Sequence, residues 1–201
     1  MVNNAQPLIE RTSVMAAVDV GDPSCWVAIR RYGVRPAPSG LALVHDFLTT
    51  RADVAIGPDL LANGFEAEAW AVDAVRNWSA RRGVDMQPPS LTDRDAATLR
   101  ELRDSLHSLV GGESAPTVVL AGAGEFTIDA AGEGGWMPAG EGWRWYWAAI
   151  LGEILLSQHV KTWSRLKHCG NGACGVTFYD ATWNNGSRWH NARTCDPALQ
   201  Q

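Results

Sequence analysis

Four side chains suited to binding a soft divalent cation crowd the C-terminal end of this chain, and they constrain it more than any other feature. Cys169 and Cys174 form one pair, and His190 and Cys195 form a second after a gap of fifteen residues. Zinc takes four N or S ligands in a tetrahedron, and ligands a few residues apart can each be presented by one tight turn. Gly170 and Gly172, inside the first pair, supply the backbone freedom such a turn needs. A closed Cys3His set leaves no position for water, which makes the expected Zn2+ structural rather than catalytic. The segment is poor in large apolar residues, and ligation would supply the folding energy that it lacks. His168 is an alternative to His190, although its place beside Cys169 makes the geometry awkward. Free thiols meeting this spacing by chance are the plain alternative. Cys25 lies outside the set and reads as a lone buried thiol.

Charge divides the chain unevenly. The 201 residues carry a net charge of −5, which argues against a general polyanion binder. Residues 161–201 nevertheless carry a net +3, from Lys161, Arg165, Lys167, Arg188 and Arg193 against two aspartates, so the body before them is strongly acidic. A basic end on an acidic body hints at an anionic partner for that end. No apolar run reaches the roughly 18 residues that span a bilayer. The N-terminus lacks the basic start and apolar stretch of a secretory signal. The expectation is a cytoplasmic protein with no membrane partner, in which cysteines bind metal rather than pair as disulfides.

The hydrophobic pattern predicts a mainly α fold with a small β-hairpin (α+β), a helical domain followed by a zinc knuckle. Residues 1–40 read as an extension with two short strands, Val14–Val20 and Cys25–Ile29, closed by a Pro36–Gly40 linker. Residues 41–165 read as the helical domain and 166–201 as the finger. Leu41, Val44, Phe47 and Leu48 mark a short helix. A second runs through Phe65, Ala69, Val72 and Val75 or Arg76 to a cap at Gly83. Thr92 and Asp95 form a capping signal for a third, striped by Leu99, Leu102, Leu106 and Leu109 or Val110. Thr117–Leu120 and Glu125–Ile128 predict the hairpin, near 117–128, turning at 121–124. A glycine-rich loop, 131–142, then leads to a last helix. Its buried face carries Trp143, Trp147, Ile150 or Leu151, and Ile154 or Leu155, and it runs toward Lys167.

The run Cys169…Cys174-Gly-Val-Thr-Phe-Tyr-Asp180…Asn184-Asn-Gly186-Ser-Arg188-Trp189-His190…Thr194-Cys195 resembles the CGNR-type zinc finger. Upstream, Leu41-Ala-Leu43, Asp46-Phe47-Leu48, Thr50-Arg51 and Leu99-Arg-Glu-Leu-Arg103 resemble its usual companion, the ABATE domain. The resemblance implies a stress-linked bacterial transcription regulator, with a sensing or dimerising helical domain and a DNA-binding finger. Departures are plain. His190 stands where the family usually has a third Cys, and Asp196-Pro197-Ala198 replaces Gly-Asn-Arg after the last one. No basic tail follows, and Trp183 and Ser187-Arg188 stand where the family favours cations. His190 preserves the zinc chemistry, the other departures remove positive charge or leave it unsupplied, and phosphate neutralisation supplies most non-specific DNA affinity.

Two functions therefore compete, beside a third in which the knuckle docks a partner protein as an interaction module. In the first, Lys161, Arg165, Lys167, Arg188 and Arg193 contact DNA. In the second, a small-molecule-binding protein or biosynthetic enzyme keeps the finger as a structural staple and takes an effector or substrate in a pocket near Trp145, His45 and His159. Trp145 is the candidate because its helical position differs from that of Trp143 and Trp147. No residue stands out as catalytic. Adjacent residues on a helix do not face one another, so His45-Asp46 is not a dyad. His107 with Asp104 and His159 with Glu153 are weak pairings of the same kind. Gly122-x-Gly124 lacks the rest of a dinucleotide motif. The balance leans away from an enzyme, and the oligomeric state is not legible.

Overall fold

A computed structural model describes residues 25–53, 55–112 and 122–199. Among them are six α-helices and two two-stranded antiparallel sheets, a mainly helical α+β fold. In order these are α1 Val27–Arg31, α2 Leu41–Leu48, α3 Gly64–Arg82, α4 Asp93–Val110, β1 Ala123–Ile128, β2 Gly134–Ala139 and α5 Trp143–His159. A 3-10 turn, Trp163–Arg165, leads to β3 Leu166–His168, β4 Thr177–Tyr179, α6 Ala192–Cys195 and a last 3-10 turn, Pro197–Leu199. No described helix is long and apolar enough to cross a membrane.

The short helix α2 is the axis of the fold. All eight of its residues are buried, because α1, α3, α4, α5 and β4 pack around it. Burial of a helix on every side demands partners for its polar residues. Asp46 finds three: Oδ1 accepts the backbone N–H groups of Ala28 and Ile29 at 3.0 Å each, and Oδ2 accepts the Trp70 indole N–H at 2.7 Å. These bonds overturn the strand expected over Cys25–Ile29. The segment is helix α1, whose first free amides have no local cap and are satisfied across the core by Asp46. Cys25 is exposed rather than buried. The strand expected over Val14–Val20 lies outside the described residues.

Pro36–Gly40 is a packed segment rather than a linker. Pro36, Ala37 and Gly40 are buried, and the Ala37 N–H donates to His45 Nδ1 at 3.3 Å. A Cβ on Gly40 would fall 1.9 Å from the Glu153 carboxylate, so only glycine lets α2 begin there.

On α3 the buried face is Ala67, Trp70, Ala71, Ala74, Val75 and Trp78, while Phe65 and Val72 of the expected stripe are 79% and 44% exposed. The helix is rich in alanine, and the two tryptophans set its rotation because their indole N–H groups reach buried carboxylates. Gly83 closes α3 in the left-handed conformation, as expected, at φ 68°. The Thr92–Asp95 capping box opens α4, and Leu99, Leu102 and Leu106 line its inner face. Leu109 is half exposed, whereas Arg103 is buried and pairs with Asp59 at 2.8 Å.

The hairpin is displaced from its expected place near 117–128. Glu125–Ile128 does lie in β1, but its partner is β2, inside the stretch expected to be a loop, and the turn falls at 129–133. Thr117–Leu120 lies outside the described residues. The glycines serve packing here: a Cβ on Gly124 or Gly152 would collide with the Trp136 ring, which sits between β1 and α5.

Helix α5 is covered on two sides, by the other helices and by this hairpin. Trp145, Tyr146, Trp147, Ile150 and Ile154 are all buried, and Leu155 is exposed. Trp145, expected to project toward a pocket, is a core residue edge-on to Trp78 and Tyr146, with centroids at 5.7 and 5.1 Å.

Candidate metal centre

Strands β3 and β4 pair antiparallel, with Leu166, Lys167 and His168 opposite Tyr179, Phe178 and Thr177. The Cys169 N–H continues the ladder to Val176 O at 2.8 Å, so residues 170–175 close as a knuckle. Gly175, at φ 64°, takes the left-handed conformation expected of Gly170 and Gly172. Gly170 is needed for a different reason. Its N–H donates to Arg188 O at 2.7 Å, and a Cβ would stand 3.0 Å from that oxygen. The second pair of ligands arrives with α6, whose N-cap Asn191 accepts the Arg193 N–H and whose last residue is Cys195.

These turns bring Cys169, Cys174, His190 and Cys195 together, every ligand atom within 4.8 Å of the others. Cys174 Sγ and Cys195 Sγ are 3.7 Å apart, and each lies 3.4 Å from His190 Nδ1. A tetrahedral zinc with bonds of roughly 2.3 Å to sulfur and 2.0 Å to nitrogen requires edges of about 3.8 and 3.5 Å. The set fits a structural zinc. Burial and contact with the Cys195 and Cys169 thiols push the Cys174 thiol up to about 12. Thiolates crowded like this need a cation to neutralise them, and metal binding would therefore release protons.

His168, the alternative ligand, faces elsewhere. Its Nε2 bonds His107 O at 2.7 Å, its Nδ1 bonds Thr177 Oγ1 at 3.0 Å, and its ring stacks on His107 at 3.7 Å. It docks the finger on α4. His45 makes the second dock, its Nε2 reaching Thr177 O at 3.0 Å. Leu166, Cys169, Val176, Phe178 and Cys195 belong to the same hydrophobic core as the helices.

Asp180 organises the loop that follows β4, a role the sequence reading did not assign. Its buried carboxylate accepts from Lys167 Nζ and Ser187 N at 2.8 Å, and from Thr182 N and Oγ1 at 2.9 and 2.6 Å. Burial pushes its carboxyl up, but these bonds outweigh that and hold it well below the usual carboxylate range. The same loop takes up two of the five expected DNA contacts. Lys167 also donates to Asn185 O, and Arg165 donates to Asp180 O and Thr182 O. Lys161, Arg188 and Arg193 are exposed, and so is Trp183 at the loop tip, at 92%.

The three expected pocket residues are not brought to one pocket. His45 and Trp145 are buried in the core, and His159 lines a cavity at the end of α5. His45 and Asp46 point to different partners, in keeping with the expectation that they form no dyad.

Their titrations oppose one another. Burial pulls the His45 ring down to about 4. Burial pushes the Asp46 carboxyl up to about 6, against its three hydrogen bonds. As pH falls from about 6.5 to 4 the unfolded chain protonates at His45 first, which costs stability. As it falls from about 6 to 3.8 the folded chain protonates at Asp46 first, which restores stability. Replacing His45 removes one slope and leaves the other. Between pH 7 and pH 4, His45→Gln is expected to gain about 3 kcal/mol on the wild type in urea unfolding. A constant difference across that range would refute the assignment.

Comparison with curated proteins finds no match, and comparison with solved structures finds none either. Residues 165–197 do match the family model of the CGNR zinc finger, and all four clustered side chains fall within that match.

Proposed function

We propose that the protein is a cytoplasmic DNA-binding transcription regulator in which zinc shapes the finger and the helical body, ABATE-like over residues 41–165, senses or dimerises. The observation that carries this reading is the zinc-finger match over residues 165–197, set on a segment with net positive charge. Lys161, Arg188 and Arg193 are the candidate phosphate contacts, and the exposed Trp183 is the candidate for stacking on a base or sugar. Lys167 and Arg165 serve the loop instead, so binding should be modest.

Three phosphate contacts give a salt slope of about −3, a loss of about 40-fold in affinity for duplex DNA between 50 and 200 mM salt. Arg188→Ala should reduce that slope by about one. Fluorescence anisotropy with the gene's own upstream DNA measures both. A flat salt response, or no binding at low salt, rejects the reading.

The alternative is a small-molecule-binding protein or biosynthetic enzyme that keeps the finger as a staple. The docking of β4 and β3 on α2 and α4 through His45 and His168 favours it, because a staple needs that integration and a mobile DNA reader does not.

A further inference from the structure

A cavity of about 410 Å³ opens where the end of α5 meets the start of α2 and the end of α3. That volume suits a small metabolite. Its wall includes Gly40, Leu41, Arg81, Arg82, Glu153 and Val160. Glu153 is the unusual member, a carboxylate whose side chain is only 4% exposed. Its Oε1 accepts the Trp78 indole N–H at 2.7 Å and faces Arg82 Nε at 3.4 Å. Its Oε2, over Gly40, has no hydrogen-bond donor among the described residues. Oε2 is not a buried orphan: it stays open to solvent on the cavity side, where a donor brought by a ligand can reach it.

Arg82 is held ready beside it. Nη2 donates to Trp136 O at 3.1 Å, and the guanidinium faces the Trp78 and Trp136 rings at 5.9 and 5.7 Å from their centroids. Arg81 adds a second positive charge beside the wall, its guanidinium already engaged, with Nη1 donating to Ala37 O at 3.4 Å and the group over the Trp26 ring at 5.3 Å. Ser39, in the lining, and Lys161, between lining residues Val160 and Thr162, both hold left-handed backbone, at φ 51° and 59°. Such strain in residues other than glycine gathers at binding sites. Leu156 and Val160 expose apolar surface at the mouth.

The charges select the ligand. A simple anion would approach a guanidinium already beside a carboxylate, and a simple cation would meet two guanidiniums. A molecule carrying both charges satisfies both walls. We propose that this cavity binds a small zwitterion of the α-amino-acid class. Its ammonium donates to Glu153 Oε2, its carboxylate meets the Arg82 and Arg81 guanidiniums, and its side chain lies on Leu156 and Val160. Burial raises the Glu153 carboxyl, as expected for an acceptor awaiting a cationic donor. The inference is independent of DNA binding.

The test uses the full, zinc-loaded chain. Thermal shift against the twenty L-α-amino acids should find at least one that raises the melting temperature, and calorimetry then compares it with its decarboxylated amine and its deaminated acid. The amino acid should bind at least tenfold tighter than either. Glu153→Gln should weaken it by about ten- to a hundredfold, since a charge-assisted bond is lost. Val160→Trp, at an exposed position, should fill the mouth and abolish binding without lowering the melting temperature of the free protein. It decides the matter if the Gln variant fails to fold. The proposal is overturned if none of the twenty binds, if the amine or the acid binds as well, or if both variants bind like the wild type.

Discussion

Removing zinc with a chelator at neutral pH is expected to unfold residues 166–199 and lower the melting temperature by more than 10 °C. Ligation of structural zinc contributes about 10–16 kcal/mol in small finger peptides, more than the finger's own apolar burial can replace. Here the loss should spread. Leu166, Val176 and Phe178 are part of the helices' core, and Thr177 O holds His45 of the central helix. A finger on a flexible tether would melt alone. This one should take part of the body with it, seen as one broadened transition and as altered fluorescence from Trp163 and Trp189, which pack against that core. Cys169→Ser and Cys195→Ser should reproduce the effect of the chelator. Cys25→Ser, at an exposed position outside the cluster, should not. Elemental analysis should give one zinc per chain. Sub-stoichiometric metal together with chelator-resistant melting would dismiss the metal centre.

The second large effect is expected at Asp46. Asp46→Ala leaves two backbone amides of α1 and the Trp70 indole N–H buried without acceptors. Each orphaned donor costs about 1–3 kcal/mol, so a loss of about 3–9 kcal/mol follows, on the scale of the whole stability of many domains. Asp46→Asn should cost less, about 1–3 kcal/mol, because its carbonyl still serves α1 while its amide nitrogen confronts the indole N–H. Urea unfolding of the zinc-loaded protein measures both. A loss below about 1 kcal/mol for the alanine variant would show that α1 does not depend on this carboxylate.

The metal centre was legible because its information is local. Cys169, Cys174, His190 and Cys195 announce themselves by element and spacing, and zinc geometry does the rest. The caps at Thr92, Asp95 and Gly83, and the leucine stripe of α4, were legible for the same reason: each is satisfied within one or two turns. Elsewhere the deciding partner is far along the chain. Asp46 turns an apparent strand into α1, and Trp70 and Trp78 rotate α3 toward carboxylates on other helices. Trp136 claims glycines on two different elements, which hid β2 inside an apparent loop. Trp145 was misplaced because residues 145–150 of α5 are buried without a break, covered by the other helices and by the hairpin, and a stretch buried all round carries no readable face. The sequence by itself determined the zinc ligands and most helix ends, where chemistry and backbone geometry act over a few residues. Only the tertiary structure decided the face each helix buries and which basic side chains of the finger stay exposed. Only it decided, too, that Glu153 and Arg82 would share one wall, since a buried polar atom takes whichever partner the packing brings within reach.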